Sequence, residues 1–158
     1  MNFKNNYNSP NNHRDNKSNN RSQNSSKPTV EEQVTEIKTK YFSKTYDKLL
    51  VITDNQQDIS LDEIYSDVSK FVEEKCKVVS TSQLRNIYGR IVKIDNINSL
   101  KMLRPKLAYV AARQPNTKAI IMFFDGLIKN VNTEEKLKSF KIIMEAVVAY
   151  HKFHHNNK

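Results

Sequence analysis

Basic side chains are concentrated in residues 81–114, whose sequence is TSQLRNIYGRIVKIDNINSLKMLRPKLAYVAARQ. Seven Lys and Arg residues against one Asp give this stretch a net charge of +6, while the whole chain carries +9. An Arg guanidinium pairs with phosphate through two hydrogen bonds, and a Lys ammonium acts as a mobile point charge. Tyr109, between Lys106 and Arg113, could stack on a base or a ribose. The stretch therefore predicts a surface that binds a polyanion.

The candidate RNA contacts are the cationic and hydrogen-bonding side chains of this stretch. We expect the main contacts from Arg85, Arg90, Lys93, Lys106, Tyr109 and Arg113, with Gln83, Asn86 and Lys101 behind them. The stretch predicts two helices, each with an apolar face. If these helices pack side by side, Arg85 and Lys93 on the first should meet Lys106 and Arg113 on the second at one groove. Arg104 lies at the edge of the second apolar face, where a structural ion pair and an RNA contact are both compatible with the pattern.

The remaining chain predicts further helices around one core. Residues 1–29 are rich in Asn and Ser and hold too few apolar residues to offset their ordering entropy, so we predict a disordered tail. Residues 30–48 have apolar residues at helical spacing, while residues 49–53 (LLVIT) could be a strand or a buried connector. Ser60 and Ser80 are each followed three residues later by a Glu or a Gln, which is the spacing of a capping box and predicts the start of a helix at each serine. The apolar run at residues 119–131 predicts the most buried helix.

These elements predict an all-α fold, an antiparallel bundle of five to six helices with a disordered N-terminal tail. The tail would comprise residues 1–29 and the bundle domain residues 30–158, with residues 59–150 its best-supported part.

Composition excludes several functional classes. The chain of 158 residues has two glycines, no tryptophan and no phosphate-cradling Gly-rich loop. No apolar run is long enough to span a membrane, so we expect no membrane association. Cys76 is the single cysteine, which excludes an intrachain disulfide and fits a reducing cytoplasm. Ser, His and carboxylate residues show no catalytic arrangement, and the histidines near the C-terminus have no carboxylate or thiol close by in sequence. We therefore predict a protein without catalytic, metal or cofactor chemistry.

Two blocks of the basic stretch, TSQLRNIYGRI and LRPKLAYVAARQ, resemble the small subunit of type III-A CRISPR interference complexes, the Csm complexes. The resemblance covers roughly residues 59–150. It implies a noncatalytic RNA-binding subunit of an antiviral effector ribonucleoprotein that helps to hold the guide–target RNA duplex. The implied partners are the guide and target RNAs, the backbone subunits, the large polymerase-type subunit and other copies of the same chain. No metal or nucleotide cofactor is implied.

Two other functions remain open on the residues alone. A DNA-binding regulator would use the two basic helices as a helix-turn-helix. That motif needs a short turn and a recognition helix, whereas here the connection at residues 95–99 is polar and has no glycine, and the basic residues are spread over both helices. A protein-interaction bundle would instead use residues 54–76, where seven acids against two lysines give a net charge of −5.

Overall fold

The computed structural model describes residues 26–53 and 59–155, and it confirms the predicted all-α fold. The α-helices are α1 (Val30–Tyr41), α2 (Leu61–Lys75), α3 (Thr81–Ile91), α4 (Ile97–Met102), α5 (Arg104–Arg113), α6 (Lys118–Asn130) and α7 (Glu134–His155). Short 3₁₀ turns lie at Tyr46–Lys48, Cys76–Val78 and Pro115–Thr117. Because Leu103 alone separates α4 from α5, we treat these two as one bent helix, so the described part of the bundle has six helices. No strand occurs in either described range. Most of the tail predicted to be disordered, residues 1–25, lies outside the described residues.

Side-chain caps fix where several helices begin. Ser60 and Ser80 accept hydrogen bonds from the amides of Glu63 (3.3 Å) and Gln83 (3.1 Å), as their spacing predicted. A complete capping box opens α1, where Thr29 and Glu32 each bond to the other's backbone amide. A helix therefore forms within the predicted segment 30–48, but it ends at Tyr41, and the 3₁₀ turn at Tyr46–Lys48 is separate from it.

The core is organised around α6, the apolar helix. Phe123 on α6 stacks on Phe42 with ring centroids 5.3 Å apart, and Phe71 from α2 packs against Phe123 at the same distance. Leu49 and Leu50 are buried beside this cluster in a turn, which makes the 49–53 segment a buried connector rather than a strand. Burial of these large side chains is the main stabilising contribution of the core.

Two helix pairs determine the position of the basic stretch. α5 packs against α6, with Arg104 at Asp125 and Leu107 near Ile121, so the two helices run antiparallel. α3 packs against α7, and its start and end meet α7 in reverse order, so this pair is also antiparallel. Each basic helix is therefore held on one side and has another side directed to solvent. Within the described ranges, no helix combines the length and apolarity needed to cross a bilayer.

Candidate nucleic-acid interface

A cleft between α3 and α5 brings together most of the predicted RNA contacts. Its lining residues are Gln83, Asn86, Ile87 and Arg90 from α3, and Tyr109, Val110, Arg113 and Gln114 from α5 and its C-terminal end. The cavity measures about 440 Å³. That volume lies within the range of roughly 300–1,000 Å³ that is usual for small-molecule sites. The cleft is therefore large enough to hold part of a nucleotide.

The orientation of α3 directs its polar side chains into the cleft. Asn86 lies three residues after Gln83, and Arg90 lies four residues after Asn86, so the three side chains share one face of the helix. The Ser80 cap holds the first turn of α3. At the other end, Lys141 of α7 donates hydrogen bonds to the carbonyl oxygens of Val92, at 3.4 Å, and of Ile94. Both ends are thus fixed, so the cleft-facing side of α3 is set by the scaffold.

On α5, an aromatic ring and a guanidinium form one unit. Tyr109 and Arg113 are one helical turn apart, and the Arg113 Cζ lies 5.7 Å from the centre of the Tyr109 ring. This distance is within the range of a cation–π interaction. Tyr109 is nevertheless 63% exposed, an unusual position for a large aromatic side chain. One face of the ring therefore offers a stacking surface beside a fixed positive charge.

The cleft continues past Tyr109 into a more apolar end. This second part, about 480 Å³, shares Ile87, Arg90, Tyr109 and Val110 with the first and adds Leu103, Pro105, Lys106 and Leu107. Lys106 stands at its rim. The groove as a whole therefore runs from a polar end, with Asn86 and Arg113, to an apolar end, and Arg90 and Tyr109 lie where the two meet.

The basic residues of this groove have no acidic neighbour in the described part of the chain, since neither part of the groove has an Asp or a Glu among its described lining residues. Within the described chain, Arg90, Lys106 and Arg113 take part in no ion pair within 4 Å. The side-chain oxygen of Gln83 is buried and has no hydrogen-bond partner among the described residues. A buried polar atom without a partner costs free energy of folding.

Three predicted contacts lie outside the groove. Arg85 projects about 200° around α3 from Gln83, away from the cleft. Lys93 is exposed beyond the end of α3, and neither residue lines the cleft. Lys101 lies on the far side of α5, where its Nζ is 3.5 Å from the Lys129 carbonyl oxygen. The residue that meets Lys106 and Arg113 across the groove is therefore Arg90, rather than Arg85 and Lys93.

Arg104 has a structural partner. Its Nε and Nη2 donate to the two carboxylate oxygens of Asp125, at 2.7 and 3.2 Å, while Lys129 lies 3.6 Å from the same carboxylate. These hydrogen bonds raise the pKa of the Arg104 guanidinium above its usual value. Between the two alternatives for Arg104, the structure shows the ion pair. The sequence contained a signal for this ion pair, because Asp125 is the single charged residue within the apolar run AIIMFFDGLI and a buried carboxylate needs a basic partner.

The C-terminal histidines contact α2 and the turn that follows it, His154 through the Ser69 hydroxyl at 2.9 Å and the other two through backbone carbonyls. The buried His151 donates from Nε2 to the carbonyl oxygens of Val79 (2.8 Å) and Cys76 (3.2 Å), and the His155 Nε2 bonds the Val72 carbonyl at 2.9 Å. Burial lowers the pKa of His151, with a smaller contribution from the charge of His155. No group of three metal-ligating side chains is found among the residues that the structure describes.

One comparison with known proteins gives a match. The sequence model of the family described as Csm2 Type III-A matches residues 58–157, which is more than half of the chain. No curated protein and no solved structure matches the chain. The matched range includes α3, α5 and the cleft between them, while α1 lies outside it. The chain therefore belongs to the Csm2 Type III-A family and is a small subunit of the type III-A CRISPR effector complex.

Proposed function

We propose that this small subunit binds RNA in the groove between α3 and α5 and so helps to hold the guide–target RNA duplex in the effector complex. One observation carries the proposal: Arg90, Lys106 and Arg113 line a groove that contains the exposed Tyr109 ring and has no acid among its described lining residues. Cations that are not paired within the protein are available to phosphates. An exposed aromatic ring beside them suits an unpaired base.

The groove also fits a ligand that is read by its backbone. Gln83 and Asn86 offer side-chain amides at the polar end, where they could bond to ribose hydroxyls. The cations of the groove, Arg90, Lys106 and Arg113, suit phosphates, which are the same in an RNA of any sequence. Binding is therefore independent of sequence, as expected of a subunit that must accept any guide–target pair.

The remaining parts of the proposal follow from family membership. The subunit is noncatalytic and cytoplasmic and serves antiviral defence. Its partners are the guide and target RNAs, the backbone subunits, the large polymerase-type subunit and other copies of itself. Arg85, Lys93 and Lys101 lie outside the groove and add long-range attraction for RNA rather than direct contacts.

A salt titration with two single-stranded RNAs of unrelated sequence and one duplex DNA tests the proposal. The isolated protein should bind single-stranded RNA weakly, with log K falling against log salt at a slope of roughly −2 to −3 if three to four phosphates are neutralised. Binding should vary little between RNAs of unrelated sequence. A clear preference for duplex DNA over RNA would favour the helix-turn-helix alternative, and absence of binding to either would favour the protein-interaction bundle.

A further inference from the structure

The end of α3 is capped by a side chain from another helix. Many helices end at a glycine, whose left-handed conformation lets the backbone satisfy the last carbonyl groups. In α3, Ile91 is followed by Val92 and Lys93, so no glycine is present at this end. The Nζ of Lys141 on α7 instead donates hydrogen bonds to the carbonyl oxygens of Val92 and Ile94. The cap of α3 therefore comes from α7.

Lys141 also supplies a positive charge at the end of α3. The carbonyl groups at the C-terminus of a helix carry a partial negative charge, so a cation beside them stabilises the last turn. Within the described chain, Lys141 has no acidic partner within 4 Å. Its charge therefore acts on the helix end and is not neutralised by a neighbouring carboxylate of the described chain.

The last turn of α3 depends on this support because it contains Gly89, and glycine is the least favourable residue after proline inside a helix. No packing contact requires a glycine there, since a Cβ at Gly89 would have no heavy atom within 4 Å beyond its neighbours in the helix. Arg90 is the next residue, and it lines both parts of the groove. Opening of this turn would therefore displace Arg90 from the groove.

We propose that Lys141 is a positioning residue for RNA binding, which holds the last turn of α3 closed and thereby keeps Arg90 in the groove. Lys141 is not among the described residues that line the groove. This role rests on the proposed function, since it operates through Arg90. Removing the cap raises the population of the open turn, and the apparent affinity for RNA falls in proportion to the fraction that remains closed. A helix that contains none of the predicted RNA contacts thus contributes to RNA binding.

A single substitution with a matched control tests this role. Lys141→Met removes the charge and the donor, and it should lower the affinity of the full chain for single-stranded RNA by up to about fivefold. Lys138→Met changes the net charge equally at an exposed position of the same helix, so its effect should be clearly smaller. Lys141→Arg keeps the charge and the donors and should retain most of the affinity. Amide hydrogen exchange at Val92, whose N–H bonds to the Tyr88 carbonyl, should become faster in Lys141→Met and in neither of the other two variants.

Two double variants separate positioning from a general effect on the fold. In an Arg90→Ala background, Lys141→Met should cost no more affinity than Lys138→Met does, because the residue through which Lys141 acts is gone. Gly89→Ala strengthens the last turn, so Lys141→Met/Gly89→Ala should recover most of the affinity that Lys141→Met loses. Circular dichroism of each variant checks that the helices are retained.

The outcomes for the positioning role and for the groove are distinguishable. The role of Lys141 is overturned if Lys141→Met behaves as Lys138→Met while Arg90→Ala weakens binding. It is also overturned if the loss persists in the Arg90→Ala background, or if Gly89→Ala restores nothing. If Arg90→Ala itself leaves the affinity unchanged, the proposed function of the groove fails, and the positioning role fails with it.

Discussion

Arg104 and Arg113 lie on the same helix, nine residues apart, and differ in what surrounds them. On the α6 side, Arg104 bonds a buried carboxylate through two hydrogen bonds, with Lys129 close by. On the α3 side, Arg113 lies over the Tyr109 ring and lines a groove with no acid among its described residues. The first region has its polar groups satisfied within the protein, whereas the second leaves them for a ligand. We therefore propose that the residues of the basic stretch that bind RNA are the ones without an ion-pair partner in the described part of the chain.

The largest difference between these two regions should appear in stability. Replacing Arg104 with Leu leaves the Asp125 carboxylate, 9% exposed, with Lys129 alone. We expect a loss of about 2–3 kcal/mol in the free energy of unfolding, less than for a fully buried pair because Arg104 is itself partly exposed. Arg113→Leu should change stability by no more than about 0.5 kcal/mol. Urea unfolding followed by circular dichroism measures both. Similar losses in the two variants would remove the distinction between the regions.

His151 extends the comparison to a second satisfied polar group. Because burial lowers its pKa in the folded protein, the unfolded chain binds a proton more readily than the folded one. The stability that neutral His151 contributes is therefore present above a pH of about 6.5, the usual pKa of histidine, and declines as the pH falls below it. The melting temperature should fall on acidification over this range, and His151→Gln should reduce that fall. His154→Gln is the control. A pH dependence that is unchanged in the His151 variant would show that other groups cause it.

Gln83 provides the opposite case, a groove residue whose buried oxygen lacks a protein partner. Gln83→Met removes that unsatisfied atom at similar volume, so stability should stay unchanged or rise by up to about 1 kcal/mol. Binding of RNA should weaken at the same time. Thermal unfolding and an RNA titration on the same preparation measure the two effects. A clear loss of stability would show that Gln83 is structural.

Deleting residues 1–25 should have the smallest effect. This segment has no apolar pattern that could join the core, and the deletion keeps Thr29, which caps α1. The melting temperature and copurification with the other effector subunits should match those of the full chain. A marked drop in melting temperature would place part of the segment within the folded domain.

Periodicity was sufficient to predict the helices and their core faces. The apolar run at residues 119–131, predicted to be the most buried helix, contains α6, whose Phe123 and Phe124 are buried, because an apolar helix is stable only where other elements cover it. The connector at Leu49 and Leu50 could not be assigned, since a short apolar run suits a strand and a buried turn equally. Periodicity also could not show that α4 and α5 form one bent helix at Leu103.

The groove was predicted only in part, because its shape depends on how α3 and α5 sit relative to each other. Helical spacing identified Lys106, Tyr109 and Arg113 as one side, and the structure keeps them together. For the opposite side it predicted Arg85 and Lys93, where the structure has Arg90, because Arg85 and Arg90 both lie on the polar side of α3 and only tertiary packing determines which one faces α5. Nor could it show that Lys141, a surface lysine by its sequence pattern, caps the end of α3.

Charge reversal inside and outside the groove tests the central claim most directly. The variant Arg90→Glu/Arg113→Glu reverses two charges that line the groove, and Arg85→Glu/Lys93→Glu reverses two that do not. Both pairs change the net charge equally, so long-range attraction falls by the same amount. Affinity for single-stranded RNA should be at least about tenfold lower in the groove variant than in the other, because charge-assisted hydrogen bonds are lost in addition. Equal losses in two folded variants would contradict the account and indicate diffuse electrostatic binding across the basic stretch.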